Sequence, residues 1–310
     1  MTQKLEYADH CGHAPSIDEA ERMATLLEAT QNYRVLRRLR PPIPSPVREG
    51  APVKRAVVVD VETTGLDHAQ DEVIELAMAA FEYGADGFVG CVSGSFVALR
   101  DPGRPISTEV TRITGITDSM VANKAIDSTE IENFLSGTAL VIAHNASFDR
   151  PFCERLCARF ATLNWACSFR EVPWTKEGHE CAKLGHLAIS NGMFFDAHRA
   201  LDDCLALVAI LSRPLPRSGR TGMACLLETA RRRRWRIRAV GAPFASRELL
   251  KSRGYRWETR AGFPRAWHID VNDEELERES SFLRTTVYHR ADAYIDATAI
   301  TAVDRYSARC

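Results

Sequence analysis

The apolar residues between about 54 and 212 follow patterns typical of alternating strands and helices. Residues 56–59 form a short, mostly β-branched run that leads into acidic residues, which predicts a buried central strand. Two more strand-like segments, 72–83 and 87–99, follow with glycines at the turn between them, and this spacing predicts an antiparallel meander. Helical and strand patterns then alternate at 128–135, 139–143, 147–160 and 198–211. Together they predict an α/β domain over 54–212, in which a mixed sheet is flanked by helices.

The segment before this domain is predicted to be a helical arm joined by a stiff linker. Residues Ser16 to Glu19 have the form of a capping box and good helix formers follow, so we expect a helix over 17–39 within an arm of residues 1–40. Five prolines between Pro41 and Pro52 indicate an extended linker over 41–53. The arm is suited to docking or to covering the main domain as a lid, and the sequence leaves both open.

Two further segments follow the main domain. Residues 213–235 form a basic connector, with a helix predicted from about Thr221 into the arginines at 231–234. Residues 236–310 are predicted to form a small α/β module of unknown role. Its predicted elements are a strand at 237–240, a helix at 246–253, a hairpin of 255–258 with 266–271, an acidic helix at 273–283 and a strand at 294–300.

The composition changes this picture through the distribution of charge. With 310 residues, 45% apolar and 26% charged, the chain is large enough for two ordinary domains. Its net charge of −1 argues at first against a nucleic-acid partner. However, residues 213–265 contain fifteen basic and three acidic residues, a net charge of +12, which leaves −13 for the rest. A basic module beside an acidic domain is therefore predicted.

Membrane insertion and secretion are not expected from the sequence. No segment approaches the roughly 20 consecutive apolar residues of a membrane span, and the N-terminus lacks the order of a signal peptide. The nine cysteines are an odd number without a C-x-x-C pair, which suits a reducing compartment. We therefore expect a cytoplasmic protein with no membrane partner.

Acidic residues stand where strands end and helices begin. Asp60 and Glu62 close the first strand, and the two-residue period of a strand places both on one face. Two like charges side by side in a buried position are unfavourable unless a cation neutralises them. Carboxylates of this kind suit Mg²⁺ or Mn²⁺, which prefer hard oxygen ligands.

Two further acids belong to other segments that the sheet is expected to bring to the same place. Asp149 follows the second buried strand, and Asp203 lies on the last helix, with His198 five positions before it at the start of that helix. The open end of an α/β sheet is where such separate segments converge.

Three motifs follow one another in the order Asp-x-Glu-Thr-Thr-Gly, His-Asn-x-x-Phe-Asp and His-x-x-x-x-Asp. This order resembles the exonuclease motifs of the DEDDh superfamily. The resemblance is strongest to the branch of the proofreading epsilon subunit of bacterial DNA polymerase III. The resemblance covers about 54–212 and includes Ile113 to Asp118, a turn on the substrate side in that branch. It implies a ribonuclease-H-like fold and a 3'-5' exonuclease that releases nucleoside 5'-monophosphates.

The resemblance also implies roles for individual residues. Asp60, Glu62, Asp149 and Asp203 would hold two divalent cations, Mg²⁺ or Mn²⁺, and His198 would be the general base for the attacking water. Two cations about 3.5 to 4 Å apart stabilise both the attacking and the leaving oxygens of an in-line displacement. The implied substrate-binding residues are Thr63, Thr64, Gly65, Leu66, Asn145 and Phe148, of which Leu66 and Phe148 are equally suited to the core.

The adjacent acids Asp202 and Asp203 pose a question of register. A three-residue spacer after His198 would select Asp202, as in the tyrosine-type relatives of the superfamily. Position 199 is an arginine and His198 fits the four-residue spacer, so we expect Asp203 to be the ligand.

The expected substrate is the 3' end of single-stranded or frayed DNA, in repair, proofreading or processing. The basic run 231–238 contains Trp235 and lies near further aromatic residues, a combination that suits a nucleic acid with unpaired bases; a structural or protein-docking role is the alternative. An RNA 3'-end trimming enzyme stays open, because no residue that reads the 2'-hydroxyl is evident. So does a docking subunit of a polymerase assembly, although no convincing clamp-binding peptide is found.

Overall fold

The structure is a computed structural model that describes residues 16–40, 52–259 and 262–309. Most of the predicted proline-rich linker, at 41–51, lies outside the described residues, as do the first fifteen residues of the predicted arm.

The strands form a central sheet, a C-terminal sheet and a short pair. In chain order they are β1 (Arg37–Arg38), β2 (Val53–Thr63), β3 (Val73–Gly84), β4 (Val89–Leu99), β5 (Thr138–Ala143), β6 (Trp165–Cys167), β7 (Met193–Phe194), β8 (Arg234–Ala239), β9 (Arg256–Trp257), β10 (Trp267–Asn272) and β11 (Asp296–Ile300).

The helices lie mainly around the central sheet. In chain order they are α1 (Ile17–Ala29), α2 (Thr108–Thr114), α3 (Asp118–Val121), α4 (Ser128–Phe134), α5 (Ala146–Leu156), α6 (Ser168–Glu171), α7 (Leu184–Ser190), α8 (Ala200–Ser212), α9 (Gly222–Arg231), α10 (Arg247–Ser252) and α11 (Leu276–Phe282). None of the helices in the described ranges combines the length and apolarity needed to traverse a lipid bilayer.

The central sheet confirms the predicted α/β class. Its strand order is β4-β3-β2-β5-β6, in which β3 is antiparallel to β2 and β4, and β5 is parallel to β2 and β6. The three consecutive strands β2 to β4 are the predicted meander. Strand β6 was not predicted, because three residues are too few to show a period.

The two faces of strand β2 pack against different helices. Val58 lies in a buried cluster with Leu207 of α8, whereas Val57 and Val59 lie in a second cluster with Phe152 of α5. Burying a side chain of this size contributes roughly 1.5 to 3 kcal/mol, so both helices are held firmly. Even-numbered residues of β2 therefore face α8 and odd-numbered residues face α5.

The N-terminal helix is shorter than predicted. It ends at Ala29 rather than near residue 39, and Gln31 adopts a left-handed backbone conformation with φ of 62°. The chain then runs extended, and β1 pairs in parallel with β7 of the main domain. The side chain of Arg34 donates hydrogen bonds to the carbonyls of Ile189 and Ser190, so this arm is docked at its C-terminal end.

The arginine run at 231–234 was also misassigned. Helix α9 ends at Arg231, and Arg234 begins strand β8. Within the described residues, β8 belongs to a four-stranded antiparallel sheet of order β11-β8-β10-β9, so its alternate residues share a face of a sheet and not of a helix. The predicted hairpin is confirmed by the pairing of β9 with β10.

The C-terminal tail returns to the central domain. Arg150, which is fully buried on α5, donates hydrogen bonds to the backbone carbonyls of Val303 and Arg305 and stacks over the ring of Trp165. The backbone N–H of Trp165 donates to the carbonyl of Ala302. Residues 301–309 therefore cover the edge of the central sheet beside β6.

Deleting residues 301–310 is expected to destabilise the central domain. The buried guanidinium of Arg150 would lose two carbonyl acceptors, and hydrogen bonds to charged groups contribute about 1.5 to 3 kcal/mol each. We expect the free energy of unfolding in urea to fall by about 3 kcal/mol or more. The matched control is Arg309→Ala, which removes a half-exposed guanidinium that contacts Glu154, Ser307 and the carbonyl of Ala161 but leaves both acceptors of Arg150 in place, so it should cost clearly less than the truncation. Equal stability of the truncated and full chains would contradict the structural role of the tail.

Candidate active site

Asp60 and Glu62 lie on the face of β2 that is turned toward α8. Both occupy even positions, while Val59 and Val61 between them are buried on the opposite face. The two carboxylates are half-buried at the end of the strand. The alternation of the strand thus places them as the sequence predicted.

Asp203, in the first turn of α8, completes a group of three acids. One carboxylate oxygen from each of Asp60, Glu62 and Asp203 lies within 4.8 Å of the others. Asp202 is not a member of this group or of any other such group in the described part of the chain. The structure therefore brings the four-residue-spaced acid, and not its neighbour, to the end of β2.

Asp149 lies in the first turn of α5, on the other side of β2. It is only 3% exposed, and a backbone hydrogen bond from Val61 stabilises its charged form. Its charge raises the pKa of Asp60, so the two carboxyls interact across the strand. Asp149 is not one of the three acids whose oxygens lie within 4.8 Å of one another, but its charge acts on that group from the α5 side of β2.

Burial and repulsion among these acids disfavour their charged forms. Burial, reinforced by the charges of Asp149 and Asp203, raises the pKa of Asp60 well above its ordinary value. Burial also raises the pKa of Glu62 to about 8, and that of both Asp149 and Asp203 to about 7. The positive charge of Arg199 lowers the pKa of Glu62, but burial and the neighbouring acids outweigh it.

A divalent cation would remove this repulsion. The donor set consists of carboxylate oxygens, which are hard ligands of the kind that Mg²⁺ and Mn²⁺ prefer. The spacing of the three oxygen atoms allows them to be shared by one ion or by a close pair. The residues present thus fit a divalent metal site.

His198 does not lie on the last helix as predicted. It precedes the first helical residue, Ala200, by two positions, and its φ of 66° is incompatible with the helix. Its backbone N–H donates to Oδ2 of Asp203 at 2.9 Å, and the residue is exposed. His198 therefore lies on an exposed loop that its backbone hydrogen bond to Asp203 anchors at the start of α8.

The turn after β2 contains the residues predicted to contact a terminal nucleotide. Thr63 donates from Oγ1 to the carbonyl of Gly65, and Oγ1 of Thr64 donates to Asp71 and accepts from Arg104. A Cβ atom at Gly65 would lie 2.4 Å from Oδ2 of Asp71, so only glycine fits this turn without displacing that side chain. These contacts make the turn rigid.

Leu66, the next residue, is 84% exposed. Leu66 is therefore not a core residue, and its side chain is available to a ligand.

Asn145 and Phe148 frame the turn that leads to Asp149. Asn145 is exposed and its Oδ1 accepts a hydrogen bond from Ser147 at 3.1 Å. Phe148 is half-buried, with its ring 5.2 Å from that of Phe152. Phe148 thus contributes to the core on one side and remains accessible on the other.

Glu75 is a residue of the site that the sequence analysis did not identify. It pairs with Glu62 across the sheet, is 1% exposed, and its charge raises the pKa of Glu62. Its carboxylate accepts hydrogen bonds from the backbone N–H of Ala200 at 3.2 Å and from Arg199 at 3.4 Å. The signal in the sequence was an acid inside the otherwise apolar run at 73–81, a position that needs a partner.

Comparison with known proteins is consistent with this geometry. The model of the RNase_T family, described as Exonuclease, matches residues 57–211, half of the chain. The chain is 28% identical over 180 residues to the DNA polymerase III PolC-type of Thermotoga maritima, and 43% identical over 99 residues to that of Streptococcus agalactiae serotype III (strain NEM316). These alignments cover 56% and 31% of the chain, but only 13% and 6% of the two polymerases.

Among solved structures, the chain is similar to exonuclease X in complex with 5' overhanging duplex DNA. The two are 27% identical, with a TM-score of 0.41, over 56% of this chain and 99% of the other.

Glu75 is expected to support the start of α8 through its hydrogen bonds. Glu75→Ala would leave the buried N–H of Ala200 without an acceptor, which costs about 1 to 3 kcal/mol. Glu75→Gln keeps an oxygen acceptor and removes one negative charge from the acidic group, so it should be more stable than Glu75→Ala by at least about 1 kcal/mol. Urea unfolding of both variants measures the difference. If the two variants are equally stable, the hydrogen bond to Ala200 does not support the helix.

Proposed function

The chain belongs to the RNase_T family of exonucleases, and on that premise we propose that it is a metal-dependent 3'-5' exonuclease acting on single-stranded or frayed DNA. Its products would be nucleoside 5'-monophosphates. The observation that carries this proposal is the convergence of Asp60, Glu62 and Asp203 within 4.8 Å of one another at the end of β2. Because the alignments cover only a small part of the two polymerases, the cellular role is also part of the proposal: repair, proofreading or end processing.

In the proposed mechanism, Asp60, Glu62, Asp149 and Asp203 hold two divalent cations, Mg²⁺ or Mn²⁺. Such ions, when bound, supply positive charge to the attacking and leaving oxygens of the phosphodiester. Without them the four buried carboxyls repel one another and have raised pKa values. The acids of this chain are therefore arranged to bind positive charge rather than to react themselves.

His198 is proposed to accept the proton of the attacking water. Imidazole suits this task because it takes up and releases protons near neutral pH. The hydrogen bond from its backbone N–H to Asp203 keeps this exposed residue next to one of the acids and limits how far the loop moves. Asp203 would thus bind metal and also place the base.

The turn at 63–66 is proposed to receive the 3'-terminal nucleotide. Its rigid backbone is held by Thr63, Thr64 and Asp71, and Gly65 leaves the room that the Asp71 carboxylate occupies against the turn. The exposed side chain of Leu66 is suited to pack against the terminal base. On the opposite side, Asn145 and the accessible side of Phe148 would orient the scissile end.

Asp203→Asn is expected to lower the rate of strand degradation at least about 100-fold, since even groups that only orient metal ligands are worth about 10- to 100-fold. The matched control is Asp202→Asn, which alters the adjacent acid outside the group of three and should stay near the wild-type rate. The assay uses 5'-labelled single-stranded DNA with Mn²⁺, and with EDTA as the metal-free reference. Stepwise shortening from the 3' end and release of 5'-monophosphates are expected. If Asp202→Asn is the inactive variant, the ligand assignment moves to Asp202.

Matched DNA and RNA strands of one sequence separate the two substrate classes. We expect DNA to be degraded with the higher kcat/KM, because the relatives with which the chain aligns include PolC-type DNA polymerases. Faster degradation of RNA would instead identify an enzyme of RNA 3'-end trimming.

A further inference from the structure

A groove of about 690 Å³ separates the central domain from the C-terminal sheet. On the side of the central domain it is lined by Ser147, Phe169 and Arg170, and on the side of the sheet by Arg234, Arg256 and His268. Basic side chains outnumber acidic ones on the walls of this groove, in contrast to the acidic site.

The cationic wall follows from the alternation of strand β8. Arg234, Arg236 and Arg238 occupy alternate positions and so share one face, while Trp235 and Ile237 face the apolar core of the module. In the neighbouring strands, His268 pairs with Arg238 and Arg256 pairs with His268, which extends the same face to the edge of the sheet. The basic run thus becomes one side of a groove.

Some of these arginines are neutralised and others are not. Arg236 forms a two-pronged ion pair with Asp270 at 2.7 and 2.9 Å, and Arg305 pairs with Glu171 at 3.4 Å. Within the described ranges, no carboxylate forms an ion pair with Arg170, Arg234 or Arg256. Arg170 and Arg256 are exposed, whereas Arg234 is half-buried and its Nε has no hydrogen-bond partner there. These three cations are available to an anionic ligand.

The groove is connected to the candidate active site by a short chain of hydrogen bonds. Arg170 donates to Oγ of Ser147 at 3.4 Å, and Ser147 donates to Oδ1 of Asn145 at 3.1 Å. Asn145 precedes the helix on which Asp149 lies. A strand that leaves the acidic site past this turn would therefore enter the groove.

Phe169 adds a surface for an unpaired base. Its side chain is 42% exposed in the groove, and the edge-on ring of His144 at 5.6 Å supports it from behind. Cations that follow a backbone together with an aromatic ring are the combination by which proteins hold single strands.

We propose that this groove holds the single-stranded segment on the 5' side of the scissile bond. Phosphates lie against Arg170, Arg234 and Arg256, and one base stacks on Phe169. The inference rests on the proposed exonuclease function, since it takes the acidic site to receive the 3' end.

Binding of a 5'-fluorescein-labelled DNA strand of about 12 nucleotides tests the groove. The experiment uses the full chain with Asp60→Asn, so that bound strands are not degraded, and measures anisotropy between about 50 and 200 mM salt. Adding Arg234→Gln and Arg256→Gln should weaken binding about tenfold at the lowest salt. It should also make the slope of log affinity against log salt shallower by about 1.4, since each contact to a single strand contributes about 0.7.

Two further variants protect this test against a folding artefact. Arg256→Gln alone alters an exposed side chain on an edge strand and should give about half of the change in slope. The matched control is Arg278→Gln, an exposed arginine of the same module that pairs with Glu275 away from the groove and should leave affinity and slope unchanged.

The outcomes separate this inference from the proposed function. If wild type degrades DNA but affinity and slope are the same with and without Arg234 and Arg256, the groove is not the path of the strand. If both arginines are required for binding but wild type hydrolyses no strand with either metal, the groove binds single strands and the exonuclease proposal fails. An equal loss of affinity in Arg278→Gln would mean that the overall charge of the module, and not the groove, determines binding. That result would overturn the inference.

Discussion

Mutual repulsion among buried carboxylates is the constraint around which the central domain is organised. Asp60, Glu62, Asp149 and Asp203 have raised pKa values because burial and neighbouring acids both disfavour ionisation. Such a group does not assemble spontaneously, so packing elsewhere must hold it together. The burial of Val57, Val58 and Val59 on both faces of β2 provides this, because it fixes α5 and α8 on opposite sides of the strand that carries two of the acids.

Glu75 shows how the domain tolerates a fifth acid at this place. Its carboxylate binds the N–H of Ala200 at the first turn of α8 and the side chain of Arg199, so its charge is partly balanced by the start of the helix. The same helix presents Asp203, whose carboxylate binds the N–H of His198. One helix start thus orders the proposed metal ligand and the candidate base, and the positive φ of His198 gives the loop its direction.

The sequence predicted those residues of the site whose positions follow from the period of a strand or from the spacing within a motif. Asp60 and Glu62 share a face because a strand alternates, and Asp203 follows from the spacing after His198. Glu75 and the docking of the tail on Arg150 were missed because they depend on contacts between segments distant in sequence. The prediction that the N-terminal helix reaches residue 39 was wrong for a related reason. Pairing of β1 with β7 stabilises an extended conformation, which local helix propensity does not reveal.

The near-neutral net charge of the chain is the sum of an acidic central domain and a basic C-terminal module. Three acids of the central domain converge at the end of β2, whereas arginines of β8 line one wall of a groove whose other wall includes Ser147 and Arg170. Arg305 holds the two parts together by pairing with Glu171 and donating to the carbonyl of Arg232. Because this contact comes from the tail, removing the C-terminal module would also strip the buried Arg150 of its acceptors. Charge separation and domain stability are therefore coupled, and only point substitutions on the groove face can distinguish a role in binding from one in folding.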